Sequence, residues 1–437
     1  MSSRHTKDKV RDFELTDEDA ARLAECLTSF NDSDSWPGGF NQGNPFSADD
    51  VLEFKQKTDD IRVIVAYEGD RIIGHCDVCQ HNQDLEAAYV GLLGVNPAFQ
   101  GKGYGKAMLI EAAETAAKAG LRRIDLHTWA GNLKAVPLYK RVGYMWFPNT
   151  RVLMESHIPG ILNNPIFQDF FERYYWYDAY KPDIKQEPDD FVEEGIGVFK
   201  YHFEGDNGDA IDVIIDKEAK GICGFSLTFD GATISAKVAP ETHTGYIAVG
   251  EYSFELTVIN GGSKELAFSA TAAPSENFIV KTDDDFSGIL SPGEEKSLRG
   301  TYAISNAAKH IDREINPDDK VKTQVEWSLT LGESSTKLYS GLIPVAAISL
   351  SLGPAYPCLS PGESKIISLG FRNNTEELIT GSIEFAAPTN QDLGVEMVEF
   401  TLSAHEHAEQ ALSIVANAVD AADMISINAS VFVGVED

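Results

Sequence analysis

The stretch "VNPAFQGKGYGKAML", Val95 to Leu109, holds residue types that can grip an anion. A strand pattern ends at Val95, a glycine-rich turn follows, and a helix is expected to start near Tyr104. Backbone amides from Gly101 to Gly105 would lie unpaired at the helix N-terminus, where the helix dipole is positive, a combination suited to a pyrophosphate. Gly103 and Gly105 let a ligand approach the backbone, and Lys102 and Lys106 add charge. The spacing is neither the G-x-G-x-x-G of dinucleotide folds nor the G-K-[ST] of P-loops.

A second stretch, "GHCDVCQH", Gly74 to His81, offers Cys76 and Cys79 between two histidines, thiolate and imidazole donors of the kind zinc takes. Its surroundings argue against a metal. The run reads as the second strand of a hairpin, "IRVIVAYEGDRIIGHCDVCQH", turning at "EGD". Alternation then places Ile73, His75, Asp77 and Cys79 on one face and Cys76 on the other. No second cysteine pair lies near; Cys223 and Cys358 stand alone, and no metal is expected.

These stretches belong to a segment, residues 1–157, that alternates strand and helix signals. "TDEDAARLAECLTSF" opens on a capping box at Thr16, and "ADDVLEFKQK" gives a second helix. "AAYVGLLGV" reads as a central strand and "YGKAMLIEAAETAAKAG" as a helix stopped by glycine. "RRIDLHTW" is a further strand.

Gln100 at the head of "QGKGYG", with Gly103 and Gly105, resembles the Q/R-x-x-G-x-G/A signature of the GNAT acyltransferase superfamily. "NLKAVPLYKRVGYMW" resembles that family's second motif, at Asn132, Ala135, Leu138, Tyr139, Gly143 and Tyr144. The resemblance covers about residues 10–157. It implies an α/β GNAT fold, a mixed, splayed sheet flanked by helices, with acetyl-CoA and an amine meeting between strands 87–95 and 122–129. The backbone of Leu93 and Val95 would hold the pantetheine arm, and Gln100, Gly101, Lys102, Gly103, Tyr104, Gly105 and Lys106 the pyrophosphate. The neutral amine would attack directly, without a metal. By family position Tyr139 would protonate the departing thiolate, and Asn132 would touch the cofactor or cap a helix beginning at Leu133.

The base is less evident from the residues. Where many relatives carry Glu in the central strand, this chain has Ala88, Tyr89 and Val90. Glu86 at the strand's start, acting through water, and His127 on the neighbouring strand are the candidates. Trp36 and Phe40, in the loop between the first two helices, and Tyr89 are expected to wall the acceptor.

From about residue 190 the pattern becomes short strands split by Gly, Asn and Asp turns, an all-β signal. "GEYSFELTVINGG" at Gly250 resembles "GESKIISLGFRNN" at Gly362, "AAP" recurs from 272 to 386, and "FSGILS" is echoed by "FTLS". The offsets of 112 to 114 residues suit tandem immunoglobulin-like β-sandwiches rather than a solenoid. The expected layout is an acetyltransferase domain 1–157 and an aromatic connector 158–188, with Phe167, Phe170, Phe171 and Tyr174 on one helical face. A β-hairpin segment 189–240 and sandwiches 241–345 and 346–437 follow.

Charge separates the two halves. Residues 1–157 carry 18 basic and 23 acidic side chains, the remainder 18 and 45. So acidic a surface repels phosphate backbones, and no nucleic-acid partner is expected. Without a long apolar run or a hydrophobic leader, no membrane partner is expected either, and the location expected is cytoplasmic. The acceptor is read as an amine-bearing small molecule, sugar or peptide, with a homodimer left open. The alternative reading is a domain that holds acetyl-CoA with little turnover, its sandwiches recognising a protein or carbohydrate.

Overall fold

The computed structural model describes residues 9–434 except 34, 37–38, 59, 130, 148–149, 151, 185–190, 194–195, 283–285, 306–307, 309–323, 354–362, 387–390, 393–395 and 417–427. Cys358 lies outside the described residues.

The hairpin expected around "EGD" is β2 (Asp60–Glu68) and β3 (Arg71–Gln80), turning at Gly69 with φ +60°. With β1 (Val10–Asp12), β4 (Ala87–Val95), β5 (Arg123–His127), β6 (Met145–Trp146) and β7 (Leu153–Ser156) they form one sheet of order β1-β2-β3-β4-β5-β7-β6. Within this sheet the β4–β5 contact is parallel and the other pairings are antiparallel.

Helices α1 (Asp17–Ser29), capped by Thr16, and α2 (Ala48–Lys57), held by a Ser47–Asp50 capping box, start where the sequence placed them. α3 (Tyr104–Lys118) is buried nearly all round. Its glutamates survive burial because they are partnered: Arg62 reaches Glu111 at 2.7 Å, while Tyr175 and Trp176 donate to Glu114 at 2.8 and 3.2 Å. α4 spans Val136–Arg141.

The connector docks as expected, though not as one helix. It breaks into α5 (Ile158–Leu162), a tight turn at Pro165–Phe167, α6 (Gln168–Arg173) and α7 (Trp176–Ala179). Pro165 lacks the amide a continuing helix needs, and Asn164 caps the new turn. Phe167 meets Phe225 at 5.5 Å and Phe171 meets Phe203 at 5.2 Å, so the aromatics face the following sheet.

That sheet has eight strands, drawn from residues 191 to 304. Residues 189–240, expected as a hairpin segment of their own, instead pair through strand 232–240 with strand 252–260. Apolar residues alternate along both strands, so they share one buried face. The four-stranded sheet of 266–272, 286–290, 324–331 and 334–341 closes this core, with Phe254 5.2 Å from Trp327. Downstream, sheets built on strands 364–373 and 379–386 enclose a separate core around Phe371, Ile383 and Phe400.

The repeat seen in the sequence reappears as one side chain doing the same work twice. Asn260 Nδ2 donates to the carbonyls of Lys264, Leu290 and Ser291; Asn373 Nδ2 donates to those of Glu377, Leu402 and Ser403. Both asparagines are buried, and in each module a glutamate, Glu294 or Glu406, accepts from the serine amide of the same corner.

Candidate functional site

The parallel strands β4 and β5 pair through Ala87–Arg123, Ala88–Ile124 and Tyr89–Asp125. Beyond Tyr89 no ladder joins them among the described residues, and a gap opens toward their C-terminal ends. A bulge in β4 helps to turn it: Cys76 faces Leu93 and Val78 faces Val90, so Gly91 and Leu92 together oppose Asp77. The Asn96 amide bonds Ile73 O at 2.8 Å, toward β3. Strand alternation therefore aims the N–H and C=O of Val95, and of Leu93, at the gap. These are the backbone groups that the family resemblance assigns to the pantetheine arm.

The glycine turn sits at the mouth of this gap. Gln100 Nε2 donates to Val95 O at 3.2 Å and ties the turn to the strand. Gly101 (φ +78°) and Gly103 (φ +86°) are both left-handed, and a Cβ on either would meet nothing within 4 Å. The glycines are thus required by backbone conformation, and the space beside them is open. Gly103 caps α3, whose first amides lack intrahelical acceptors. Gly105 packs inward, where a Cβ would lie 3.3 Å from Leu138. The Tyr104 side chain is buried, its hydroxyl donating to Glu68, so that residue offers the mouth only its backbone amide. Lys102 Nζ lies 4.7 Å from the Phe99 ring and Lys106 Nζ 5.3 Å from the Tyr177 ring. The turn has the features a pyrophosphate needs: left-handed glycines, free space and two cations at its rim.

Tyr139, on α4, is buried with its ring edge against Tyr144. Burial pushes its phenol up to about 12, the nearby Cys76 thiol adds to that, and a hydrogen bond with Thr128 pulls the other way. It is therefore protonated at neutral pH and able to donate. Thr128 was not singled out in the sequence, although it lies four residues before Asn132. Asn132 Nδ2 donates to the Thr128 hydroxyl at 3.3 Å, and its Oδ1 accepts from the Ala135 amide at 3.2 Å. The helix it leads into begins at Val136, not Leu133, because Pro137 suits the first turn of a helix.

The opposite face of the sheet carries the acceptor candidates. Tyr89 OH lies 3.0 Å from Nδ1 of the exposed His127. Phe30 presses on Gly94 so closely that a Cβ there would lie 2.4 Å from its ring. Trp36 stacks on Phe30 at 5.4 Å and Phe40 packs on Trp36 at 5.0 Å, so the loop aromatics cover the C-terminal half of β4. Glu86 is not brought to this place. It precedes β4, about 23 Å of extended strand before Leu93, and is ion-paired with Arg122.

Cys76 and Cys79 do face opposite ways. Cys76 is fully buried beside Tyr139, whereas Cys79 Sγ donates to Asp60 Oδ1 at 3.0 Å. Beside Cys79, Lys55 bridges Asp77 and Asp60, with His75 Nε2 2.9 Å from Asp77. This buried charge cluster was not foreseen, since its members come from α2, β2 and β3.

Residues 29–144 match the family model described as Acetyltransferase (GNAT) family. The chain carries a GNAT acetyltransferase domain. Among curated proteins it is 28% identical over 138 residues to the mycothiol acetyltransferase of Corynebacterium glutamicum, covering 31% of this chain and 43% of that protein. The mycothiol acetyltransferase of Actinosynnema mirum is 33% identical over 101 residues, 22% of this chain and 33% of that one. The chain thus spans less than half the length of the curated relatives it matches. Among solved structures, the PaiA N-acetyltransferase of Thermoplasma acidophilum in complex with coenzyme A aligns with 34% of this chain and 98% of its own, at 18% identity and TM-score 0.28. The matched residues take in β2 to β5 and α2 to α4, and the β-rich half of the chain lies outside them. No helix among the described residues is long and apolar enough to cross a membrane.

Proposed function

We propose that the acetyltransferase domain transfers the acetyl group of acetyl-CoA to an amine by direct attack within the β4–β5 gap. The observation that carries this reading is the union of two features at one end of the sheet: strands that stop pairing after Tyr89–Asp125, and a turn with open, left-handed Gly101 and Gly103. The pyrophosphate lies on the amides of Gly101 to Gly105, and the pantetheine arm pairs with the edge of β4 at Leu93 and Val95, where Val95 O also accepts from Gln100.

The amine enters from the side of Trp36, Phe40 and Tyr89. Its nitrogen bonds to the acetyl carbon, giving a tetrahedral intermediate, and the carbon–sulfur bond then breaks to leave amide and thiolate. His127, oriented by Tyr89, takes the amine's proton, and Tyr139 gives a proton to the thiolate. Asn132 acts through Thr128, holding the hydroxyl that meets Tyr139.

Thiol release from acetyl-CoA should be followed with a panel of primary amines, polyamines, amino sugars and peptides. Turnover with at least one class is the expected result. Cofactor binding without thiol release across the whole panel would refute the transfer reading.

A further inference from the structure

A cleft of about 610 Å³ lies at the other end of the sheet from the glycine turn, between the acetyltransferase domain and the first sandwich. One wall comes from residues at the start of β4 and β5, Glu86 and Arg122, together with the end of α3 at Gly120 and the connector at Asn163–Pro165. The other comes from the turn around Lys220 and the hairpin strands bearing Leu329, Thr336 and Tyr339. Its size suits a metabolite rather than water alone.

Its chemistry runs against that of the molecule. In a chain of net charge −32, the charged side chains lining this cleft are Arg122, Lys220 and Lys337 against Glu86. Arg122 lies over the Tyr339 ring at 4.3 Å and gives one nitrogen to Glu86. Among the described residues its Nε and Nη1 find no acceptor, although both are buried. Thr336, 4% exposed, likewise lines the cleft with a buried hydroxyl that has no partner among the described residues. Buried donors without acceptors are costly unless something completes them. Ile222, Leu329 and Pro165 add apolar surface to the lining.

We propose that this cleft is a binding site for a small anionic molecule with an apolar or aromatic body, its acid group, carboxylate, sulfonate or phosphate, accepting from Arg122 and Thr336. Such a ligand touches both modules and leaves the acetyl-transfer gap free.

The probe is 1-anilinonaphthalene-8-sulfonate, an aromatic body with one acid group, titrated by fluorescence into the full chain. One saturable site is expected, unaffected by saturating acetyl-CoA. Its affinity should fall at least tenfold in Arg122→Gln and vanish in Ser328→Trp, which fills the cleft from an exposed position. Acetyl-CoA affinity should be unchanged in both. Displacement of the probe by acetyl-CoA, non-saturable binding, or wild-type affinity in Ser328→Trp would overturn the proposal. Ser328→Trp decides the matter if Arg122→Gln does not fold.

Discussion

The Tyr89 hydroxyl lies 3.0 Å from Nδ1 of His127, just where the backbone ladder between their strands ends. Side chains thus bridge the two strands at the point from which they diverge, and the bridge faces the opening. If His127 takes the amine's proton, His127→Gln should lower kcat by about 10²- to 10⁴-fold with cofactor affinity kept. Tyr89→Phe should lose less, since it removes only the orienting bond. Steady-state kinetics on both variants check this; wild-type kcat in His127→Gln would make the pair a tether alone.

Tyr139→Phe keeps the ring packed against Tyr144 and removes the hydroxyl held by Thr128. Its kcat should fall within the same range, or less, because a thiol ionising near 8.5 leaves tolerably unaided. Cofactor dissociation constant, melting temperature and kcat measured on one preparation separate the roles. Loss of all three would mark a packing residue.

Gly103→Val should abolish or severely weaken cofactor binding. Strain and obstruction both act there, and Gly120 separates them. It is also left-handed (φ +76°), and a Cβ on it would meet nothing within 4 Å, but it lies at the far end of α3. Gly120→Val should carry a similar strain, about 1–2 kcal/mol, and bind cofactor normally by calorimetry.

Asn373→Ala leaves three carbonyls of the second sandwich without their common donor. A loss of about 1–3 kcal/mol is expected, confined to that module. Asn260→Ala should weaken the first sandwich in the same way. Hydrogen exchange resolved along the chain reports which module opens, and neither change should alter cofactor affinity.

Glu155 is fully buried, with His157 Nε2 at 3.5 Å and Arg123 Nε at 3.7 Å. Burial alone would raise its carboxyl, but His157, Lys220 and Arg123 outweigh that and hold it at about 2. A carboxyl lower in the folded than in the unfolded chain contributes stability above about pH 4.5. That contribution is lost as pH falls toward 2. Melting temperature should drop through this window, and Glu155→Gln should flatten the drop while lowering stability at neutral pH.

What the sequence by itself determined is local. The glycine turn, the helix start capped by Thr16, the "EGD" hairpin and the opposite faces of Cys76 and Cys79 depend on neighbours within a few residues. The 112-residue repeat was legible because both sandwiches keep their corner residues. Tertiary structure decided the rest. The connector's aromatics Phe167, Phe170, Phe171 and Tyr174 lie on or beside α6, after the break at Pro165, but only the fold decided which strands receive them, Phe225 for Phe167 and Phe203 for Phe171. Strand 232–240 joins the first sandwich because its buried face matches that of strand 252–260, a partnership no local pattern announces. Glu86 and His127 looked equally eligible as bases until the sheet put them at opposite ends. The Thr128 link to Tyr139, the Lys55 cluster and the cleft under Arg122 bring together residues from distant parts of the chain. Their chemistry depends on distance and burial, which exist only once the chain has folded.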